Sequence, residues 1–317
     1  MDNIIQVENL TKKFYLESGF FARKDNFVYA VNDVSFSVER GKTYGIVGES
    51  GCGKTTVAKL LAGMYKSDSG KIIFNPQKNS SGMQNKSLIK YIFQDPARSL
   101  NPRMTVFTIL TEGLRHSSLW PGKTQARKIA GDILEETGLS RQDLDKFPGE
   151  FSGGQRQRIS IARGLLCQPE LLICDEVVSA LDVSIQGQIL NLLQEIRQNR
   201  NLSMIFIAHD LRVSCYFCDR IGVMYQGIMV EEGESANFYR ECVHPYTKIL
   251  FQGCMGTLSS KDSEVRTALK PPEGCPFCYR CPKAKPCCLT ERPEWKEIKA
   301  GHYVRCFYPE TVSENNL

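Results

Sequence analysis

The segment at residues 48–55 (GESGCGKT) constrains this chain most, because it matches the phosphate-binding pattern G-x-x-x-x-G-K-[ST]. An apolar run at residues 43–47 predicts a strand before it, and residues 56–62 predict a helix after it. In that setting, glycines allow backbone N–H groups to face phosphate oxygens at the positive end of a helix. We expect Lys54 to reach the β- and γ-phosphates and the Thr55 hydroxyl to coordinate Mg²⁺. The sequence therefore predicts a site for a nucleoside triphosphate.

A second segment predicts where metal and attacking water are handled. Residues 171–174 (LLIC) form a short apolar run, as expected of a parallel strand that is buried on both faces, and two carboxylates follow. Asp175 is placed to hold Mg²⁺ through water, and Glu176 to orient and deprotonate the attacking water. The alternative, in which the two carboxylates only cap the next helix, is disfavoured by the phosphate-binding segment upstream.

A third segment, residues 151–158 (FSGGQRQR), predicts a second anion-binding site. Ser152 and the two glycines after it open a helix whose first N–H groups are free to meet phosphate. One active site does not need two such places, whereas two chains arranged head to tail would each complete the other's ATP site. The alternative is an ordinary helix with Ser152 as its N-cap.

With these segments in this order, the chain resembles the ATP-binding-cassette (ABC) ATPases. The resemblance implies an α/β fold, that of a P-loop NTPase, with an ABC nucleotide-binding domain at residues 1–255. It also implies a helical subdomain at about residues 98–165, in which residues 124–138 have apolar residues at helical spacing. A small cysteine-rich extension is expected at residues 256–317.

The same resemblance implies roles for residues outside the three segments. Gln94 is similar to the Q-loop glutamine that contacts Mg²⁺ and water, His209 to the switch histidine that binds the γ-phosphate, and Asp182 lies in a D-loop-like run. Phe14, with Tyr15 as the alternative, resembles the aromatic residue that stacks on adenine, although an aromatic residue at that position fits the hydrophobic core equally well. The expected nucleotide contacts are Phe14, Gly48, Ser50, Gly51, Cys52, Gly53, Lys54, Thr55, Thr56, Ser152, Gly154 and Asp182, with Thr55, Gln94 and Asp175 at Mg²⁺ and with Glu176, His209 and Gln94 as catalytic residues.

Two further segments narrow the resemblance to one subfamily. Residues 93–105 (FQDPARSLNPRMT) and residues 244–247 (HPYT) are similar to the ATPase subunits of dipeptide, oligopeptide and nickel importers. Val177 departs from that subfamily, which usually has proline there, but the change removes no chemical group. The resemblance implies the ATP-hydrolysing subunit of a peptide importer, with nickel or metal-chelate import as the alternative. Its implied partners are a second ATPase subunit (a paralogue or the same chain), two transmembrane permease subunits and, indirectly, an extracytoplasmic substrate-binding protein.

The composition and the first residues argue against a membrane-spanning protein, a protein with a signal peptide and a nucleic-acid-binding protein. The sequence contains no run of about 18 apolar residues, the length that spans a bilayer, and its start lacks the features of a signal peptide. The net charge of +5 is not gathered in basic runs, so nucleic acid is not an expected partner. We therefore expect a peripheral protein at the cytoplasmic face of the membrane. Residues 17–27 and 75–86 are predicted loops by composition.

Two rival classes are disfavoured. Soluble ABC proteins of DNA repair carry long coiled-coil insertions, and those of translation usually carry two cassettes, and neither feature is in this sequence. A regulatory module with a degenerate ATPase conflicts with the intact set Lys54, Asp175, Glu176 and His209.

The second distinctive feature is a group of cysteines near the end of the chain. Six of the thirteen cysteines lie there: Cys275, Cys278, Cys281, Cys287, Cys288 and Cys306. In a cytosolic protein, such a group indicates a metal site rather than disulfides. Scattered buried thiols suffice to explain the set Cys52, Cys167, Cys174, Cys215 and Cys218.

Thiolates bind iron–sulfur clusters or Zn²⁺, and two ligand sets compete. Cys275, Cys278 and Cys281 have the C-x₂-C-x₂-C spacing of bacterial ferredoxins, although the C-x₃-C-P that should follow is missing. The subfamily resemblance instead implies a [4Fe–4S] cluster, with Zn²⁺ as the alternative, on the set Cys275, Cys281, Cys288 and Cys306. Cys278 and Cys287 are then bystanders or substitutes. The metal centre would serve either as a structural clasp or as a redox sensor.

Overall fold

The computed structural model describes residues 2–16, 26–75, 88–115, 120–254 and 273–310. Within these ranges the strands are β1 (Asn3–Tyr15), β2 (Phe27–Glu39), β3 (Thr43–Val47), β4 (Ser69–Phe74), β5 (Ile89–Ile92), β6 (Leu171–Asp175), β7 (Ser203–Ala208), β8 (Arg220–Tyr225), β9 (Ile228–Glu234), β10 (Lys296–Lys299) and β11 (His302–Val304). The α-helices are α1 (Lys54–Leu61), α2 (Pro96–Ser99), α3 (Val106–Arg115), α4 (Lys123–Glu136), α5 (Gly153–Leu165), α6 (Val183–Arg200), α7 (Leu211–Phe217), α8 (Ser235–Glu241), α9 (Pro245–Cys254) and α10 (Cys287–Thr290). Most of both predicted loops, and the predicted domain boundary at residue 255, lie outside the described residues.

By its internal contacts the chain divides into two compact units. The first unit comprises Met1–Ile4, Glu39–Gly41 and Asn75–Ile205. The second comprises Ile5–Val38, Lys42–Phe74 and Phe206–Leu317. Each unit is described separately below, and the predicted division at residues 255 and 256 stays a prediction.

The first unit joins parallel strands to a group of helices. Strands β5 and β6 run parallel, with Ile89 opposite Leu171 and Ile92 opposite Cys174. Helix α5 packs against α2, α3, α4 and β5. The helix approaches the strands closely because of Gly164, where a Cβ atom would lie 3.3 Å from Leu172 Cδ1. The first unit thus places the end of β6 and the start of α5 on one scaffold.

Helix α4 shows why the helical pattern at residues 124–138 is a reliable signal. Ala126, Ala130, Ile133 and Leu134 are its buried apolar residues, and their spacing places them on one face of a helix. The helix ends before Gly138, which has a φ of 75° and therefore the left-handed conformation that often terminates helices. The prediction of this helix is confirmed.

No helix in the described part of the chain has both the length and the apolarity needed to cross a membrane.

The second unit holds two sheets. One has the strand order β2-β1-β4, and the strands β10-β11-β9-β8-β3 are neighbours in that order in the other. Strand β3 runs parallel to β8, with Tyr44 opposite Arg220 and Val47 opposite Val223. All five residues of β3 are buried, as expected of a strand that is covered on both faces.

The cysteine-rich segment takes part in this second unit through the sheet. Strand β11 pairs antiparallel with β9, with Tyr303 opposite Glu232. The side chain of Glu231 is buried and accepts hydrogen bonds from the backbone N–H groups of Val243 (2.6 Å) and His244 (3.1 Å). Nε2 of His302 lies 2.9 Å from the same carboxylate. One buried carboxylate therefore ties β9, the start of α9 and β11 together.

Candidate nucleotide site and cysteine cavity

The phosphate-binding loop lies in the second unit, between β3 and α1. Gly53 has a φ of 110°, and a Cβ atom there would lie 2.1 Å from the carbonyl oxygen of Ala30. No other residue type fits that position without moving the backbone, because both the φ angle and the space require glycine. Lys54 begins α1, is 4% exposed, and its Nζ donates hydrogen bonds to the carbonyl oxygens of Gly48 (2.8 Å) and Glu49 (2.9 Å). The loop therefore encloses a single ammonium group, as binding of phosphate requires.

In the first unit, the structure brings Gln94, Asp175 and Glu176 together. Nε2 of Gln94 donates a hydrogen bond to the Glu176 carboxylate at 2.6 Å. Asp175, which ends β6, is almost fully buried and accepts a hydrogen bond from the hydroxyl of Tyr91. Sequence reasoning gave Tyr91 no role, although its place on the strand that pairs with β6 was a usable signal. These contacts fix both carboxylates at the end of one strand.

The backbone at Glu176 is unusual. Its φ is 49°, in the left-handed region that residues other than glycine seldom adopt. Ser179 stabilises this turn, because its N–H and its Oγ both donate to the carbonyl oxygen of Glu176, at 3.1 and 2.9 Å. Val177, which stands where proline is usual in the subfamily, is 2% exposed. The carboxylate of Glu176 is therefore aimed by a specific local turn.

Ser152 is the N-cap of α5. Its Oγ accepts a hydrogen bond from the N–H of Gln155 (3.3 Å), and its own N–H donates to the Gln155 side chain (2.9 Å). At Gly154, a Cβ atom would lie 2.8 Å from Cγ2 of Ile185, so the glycine permits close packing of α5 on α6. The N-cap interpretation is confirmed within one chain. A role in the ATP site of a second chain stays a prediction.

Three other predicted site residues, His209, Phe14 and Asp182, lie at or near the ends of elements. His209 is exposed and directly follows β7 in the second unit. Phe14 lies in β1, where its ring packs edge to face on Tyr65 with 5.4 Å between centroids, while Tyr15 is 63% exposed. Asp182 precedes α6 in the first unit and is exposed, as is Val183. Their predicted roles stay predictions.

Five of the six clustered cysteines line one cavity in the second unit: Cys275, Cys278, Cys281, Cys288 and Cys306. Members of both competing ligand sets therefore line the same cavity, so the choice between the sets, and the role of Cys278 as bystander or substitute, stay predictions. Cys287 does not line the cavity, and its Sγ lies 3.3 Å from the hydroxyl of Tyr308. The described cysteines are all free thiols.

The environment of the cavity raises the pKa of thiols that line it. Burial, with neighbouring thiols as a smaller cause, raises the pKa of Cys275 to about 12 and that of Cys306 to about 11. Without a cation, such thiols stay protonated at neutral pH. Among the described residues, no three His, Cys, Asp or Glu side chains stand in an arrangement ready to hold a metal ion.

Of the scattered cysteines, Cys167 and Cys215 are only half-buried, so burial does not account for the whole of that set.

Known proteins resemble this chain in sequence and structure. The sequence model of the ABC transporter family matches residues 31–179, and the model of the oligopeptide/dipeptide transporter C-terminal region matches residues 230–288. The oligopeptide transport ATP-binding protein AppF of Bacillus subtilis is 41% identical, over 96% of this chain and 97% of AppF. OppF of the same organism is 38% identical, over 96% of each chain.

Solved structures agree on the fold. CbiO1 from Clostridium perfringens, part of an ABC transporter complex, superposes with a TM-score of 0.63 at 28% identity, over 75% of this chain and 91% of CbiO1. The cassette MJ0796, in a dimeric form bound to ADP and Pi, superposes with a TM-score of 0.61 at 24% identity, over 73% and 98% of the two chains. The α/β fold of an ABC P-loop NTPase is thus confirmed. The chain belongs to the ATPases of the ABC transporter family, in the group that shares the oligopeptide/dipeptide transporter C-terminal region.

Proposed function

We propose that the protein is the ATP-hydrolysing subunit of an importer for dipeptides and oligopeptides. The observation that carries this proposal is the match of residues 230–288 to the C-terminal region of oligopeptide/dipeptide transporters. Relatives named as oligopeptide transport ATP-binding proteins, which align over nearly the whole chain, support it. ABC ATPases act as cassette dimers on transmembrane permease subunits, so the protein works at the cytoplasmic face of a membrane. An extracytoplasmic binding protein delivers the peptide.

Uptake in cells tests the substrate class. Cells that lack the gene for this chain should lose uptake of a labelled tripeptide, because the importer then lacks an ATPase subunit, and a wild-type copy should restore it. Uptake of nickel, measured in the same cells, is the matched comparison. Retained peptide uptake together with lost nickel uptake would assign the protein to metal import instead.

The proposed residue roles are those that the resemblance to ABC ATPases implies. Lys54 binds the β- and γ-phosphates, and Glu176 takes the proton of the attacking water. By the same resemblance, Thr55, Gln94 and Asp175 would hold a bound Mg²⁺, which would neutralise phosphate charge. The hydrogen bond from Gln94 to Glu176 makes one side chain the link between the metal site and the base. A change at the γ-phosphate is thus passed to the residues that follow Gln94.

The dimer supplies what one chain lacks. In a head-to-tail pair, Ser152 and Gly154 of one chain close over the phosphate-binding loop of the other. The exposure of Asp182, and of Val183 with 84% of its surface accessible, supports a second chain against the start of α6. His209, exposed after β7, bonds the γ-phosphate. The second cassette is a paralogue or another copy of this chain.

For the cysteine cavity we propose a [4Fe–4S] cluster on Cys275, Cys281, Cys288 and Cys306, with Zn²⁺ as the alternative. The donor set suits either, because thiolates are the preferred ligands of both. One arginine also supports an anionic centre: Nε and Nη2 of Arg292 are buried with no hydrogen-bond partner among the described residues, whereas Arg305 already forms an ion pair with Asp33 at 3.5 Å. Arg292 is also near enough to Cys275 for their charges to interact. Positive charge beside the cavity favours thiolates there.

Metal analysis tests this centre. Protein purified without oxygen should contain about four irons and four sulfides per chain, as a [4Fe–4S] cluster requires. Cys306→Ser should lower the iron content, because it removes a ligand, whereas the control Cys287→Ser should not, because Cys287 lies outside the cavity. Cys278→Ser separates the two ligand sets. Zinc alone would make the segment a structural clasp, and protein without metal would overturn the proposed centre.

A further inference from the structure

Glu49, the second residue of the phosphate-binding loop, is held from three directions within the second unit. Its carboxylate accepts two hydrogen bonds from the guanidinium of Arg280, both at 2.8 Å. Its backbone N–H donates to the hydroxyl of Tyr246 at 3.0 Å. Its carbonyl oxygen accepts from Lys54 Nζ at 2.9 Å. The conformation of the loop at this residue is therefore determined by the cysteine-rich segment, by α9 and by the loop lysine.

Arg280 is itself held in place. It lies between Cys278 and Cys281, which both line the cysteine cavity. Its guanidinium stands over the rings of Tyr225 and Phe277, at 5.7 and 5.8 Å from their centroids. Stacking on aromatic rings together with a paired bond to carboxylate is a geometry that arginine provides and lysine does not. The contact is thus built for a guanidinium.

The negative charge of Glu49 explains the effect of its contact with Arg280. A carboxylate in the loop that receives a triphosphate repels it, unless a cation neutralises the carboxylate. Arg280 supplies that cation, and its two hydrogen bonds also prevent the carboxylate from turning toward the phosphates. The side chains of Arg280 and Glu49 are 26% and 22% exposed, so solvent screens the pair only in part.

We propose that Arg280 is a positioning residue for the phosphate-binding loop, through which the cysteine-rich segment sets the affinity of the site for ATP. This inference rests on the proposed binding of ATP by the loop. It assigns the segment a part in the nucleotide site that is independent of which metal the segment holds.

Fluorescence titration of the full chain with a labelled ATP analogue tests the proposal. Arg280→Ala should weaken binding by about three- to tenfold, since it leaves a charged carboxylate beside the triphosphate. Arg280→Lys, which keeps the charge but loses the paired geometry, should fall between Arg280→Ala and the wild type. In the double variant Glu49→Gln with Arg280→Ala, much of the lost affinity should return, because the carboxylate is then neutral.

The control is Lys299→Ala, which breaks the ion pair of Lys299 with Glu241 in the same unit, where neither residue belongs to the loop or lines the cysteine cavity. It should bind the analogue as the wild type does. The recovery in the double variant separates positioning from general destabilisation, because a misfolded segment would not be rescued by a second change. Wild-type affinity in Arg280→Ala, or losses that multiply in the double variant, would overturn the inference. A wild-type chain that binds no nucleotide would instead overturn the proposed function.

Discussion

Glu176→Gln should reduce ATP turnover by about 10²–10⁴-fold, the usual contribution of a general base. The substitution keeps the size and shape of the side chain, and the amide oxygen can still accept the hydrogen bond that Gln94 donates to Glu176. The bonds from Ser179 to the backbone carbonyl are also kept. What is lost is the ability to take a proton from water. The measurement is steady-state phosphate release by the assembled transporter.

The same variant should retain ATP binding and accumulate a nucleotide-bound dimer, which gel filtration with ATP and Mg²⁺ would detect. A matched control is Glu135→Gln, which makes the same chemical change at an exposed carboxylate paired with Arg141. Turnover of the control should equal that of the wild type. If Glu176→Gln also turned over at the wild-type rate, Glu176 would not be the base, and loss of ATP binding would show that it acts on affinity.

The parts of the fold that were predictable are those with local signals. Thr43–Val47 and Leu171–Asp175 are strands as expected, since a strand buried on both faces is a continuous apolar run. Helix α1 begins at Lys54, two residues before the predicted start at residue 56. The reason is that Gly53 already has a left-handed conformation at the helix N-cap. The start of a helix is usually predicted from a polar side chain at the N-cap. A phosphate-binding loop, whose N-cap residue is glycine, does not provide that signal.

The parts that were not predictable depend on contacts between distant residues. Strand β10 (Lys296–Lys299) is exposed at all four positions, so no apolar pattern marks it. The pairing of β11 with β9 places His302 at Glu231, which are 71 residues apart in sequence. Glu49 and Arg280 are 231 residues apart. No spacing rule joins such residues, whereas the loop, the strand-end carboxylates and the helix cap are each contained in a few consecutive residues.

The cysteine cavity was predictable in one respect and unpredictable in another. The density of cysteines after residue 275 predicted a common site, and five of them do share a cavity. Which of them belong to that site was not readable from spacing, because Cys287 and Cys288 are adjacent in sequence yet only Cys288 lines the cavity. Helix α10 separates their side chains, since neighbouring residues of a helix point in different directions.

Lys54→Ala should weaken binding of ATP by about 10- to 100-fold, the range expected when charge-assisted hydrogen bonds to phosphate are removed. Lys54 is 4% exposed, and its ammonium lies within the loop against the carbonyl oxygens of Gly48 and Glu49. No other lysine or arginine lies in the loop at residues 48–55, so the loss should not be compensated there. Titration with a fluorescent ATP analogue measures the effect.

Two further variants make the result specific to charge. Lys54→Met keeps most of the apolar stem of this buried side chain, so it should lose affinity as Lys54→Ala does while disturbing the packing less. Lys59→Ala removes the same charge from α1 at a half-buried position near Tyr65, and it should bind ATP nearly as the wild type does. Binding at the wild-type level by Lys54→Met would contradict the assignment. Equal losses in Lys54→Met and Lys59→Ala would mean that the net charge of α1, rather than one ammonium inside the loop, attracts the triphosphate.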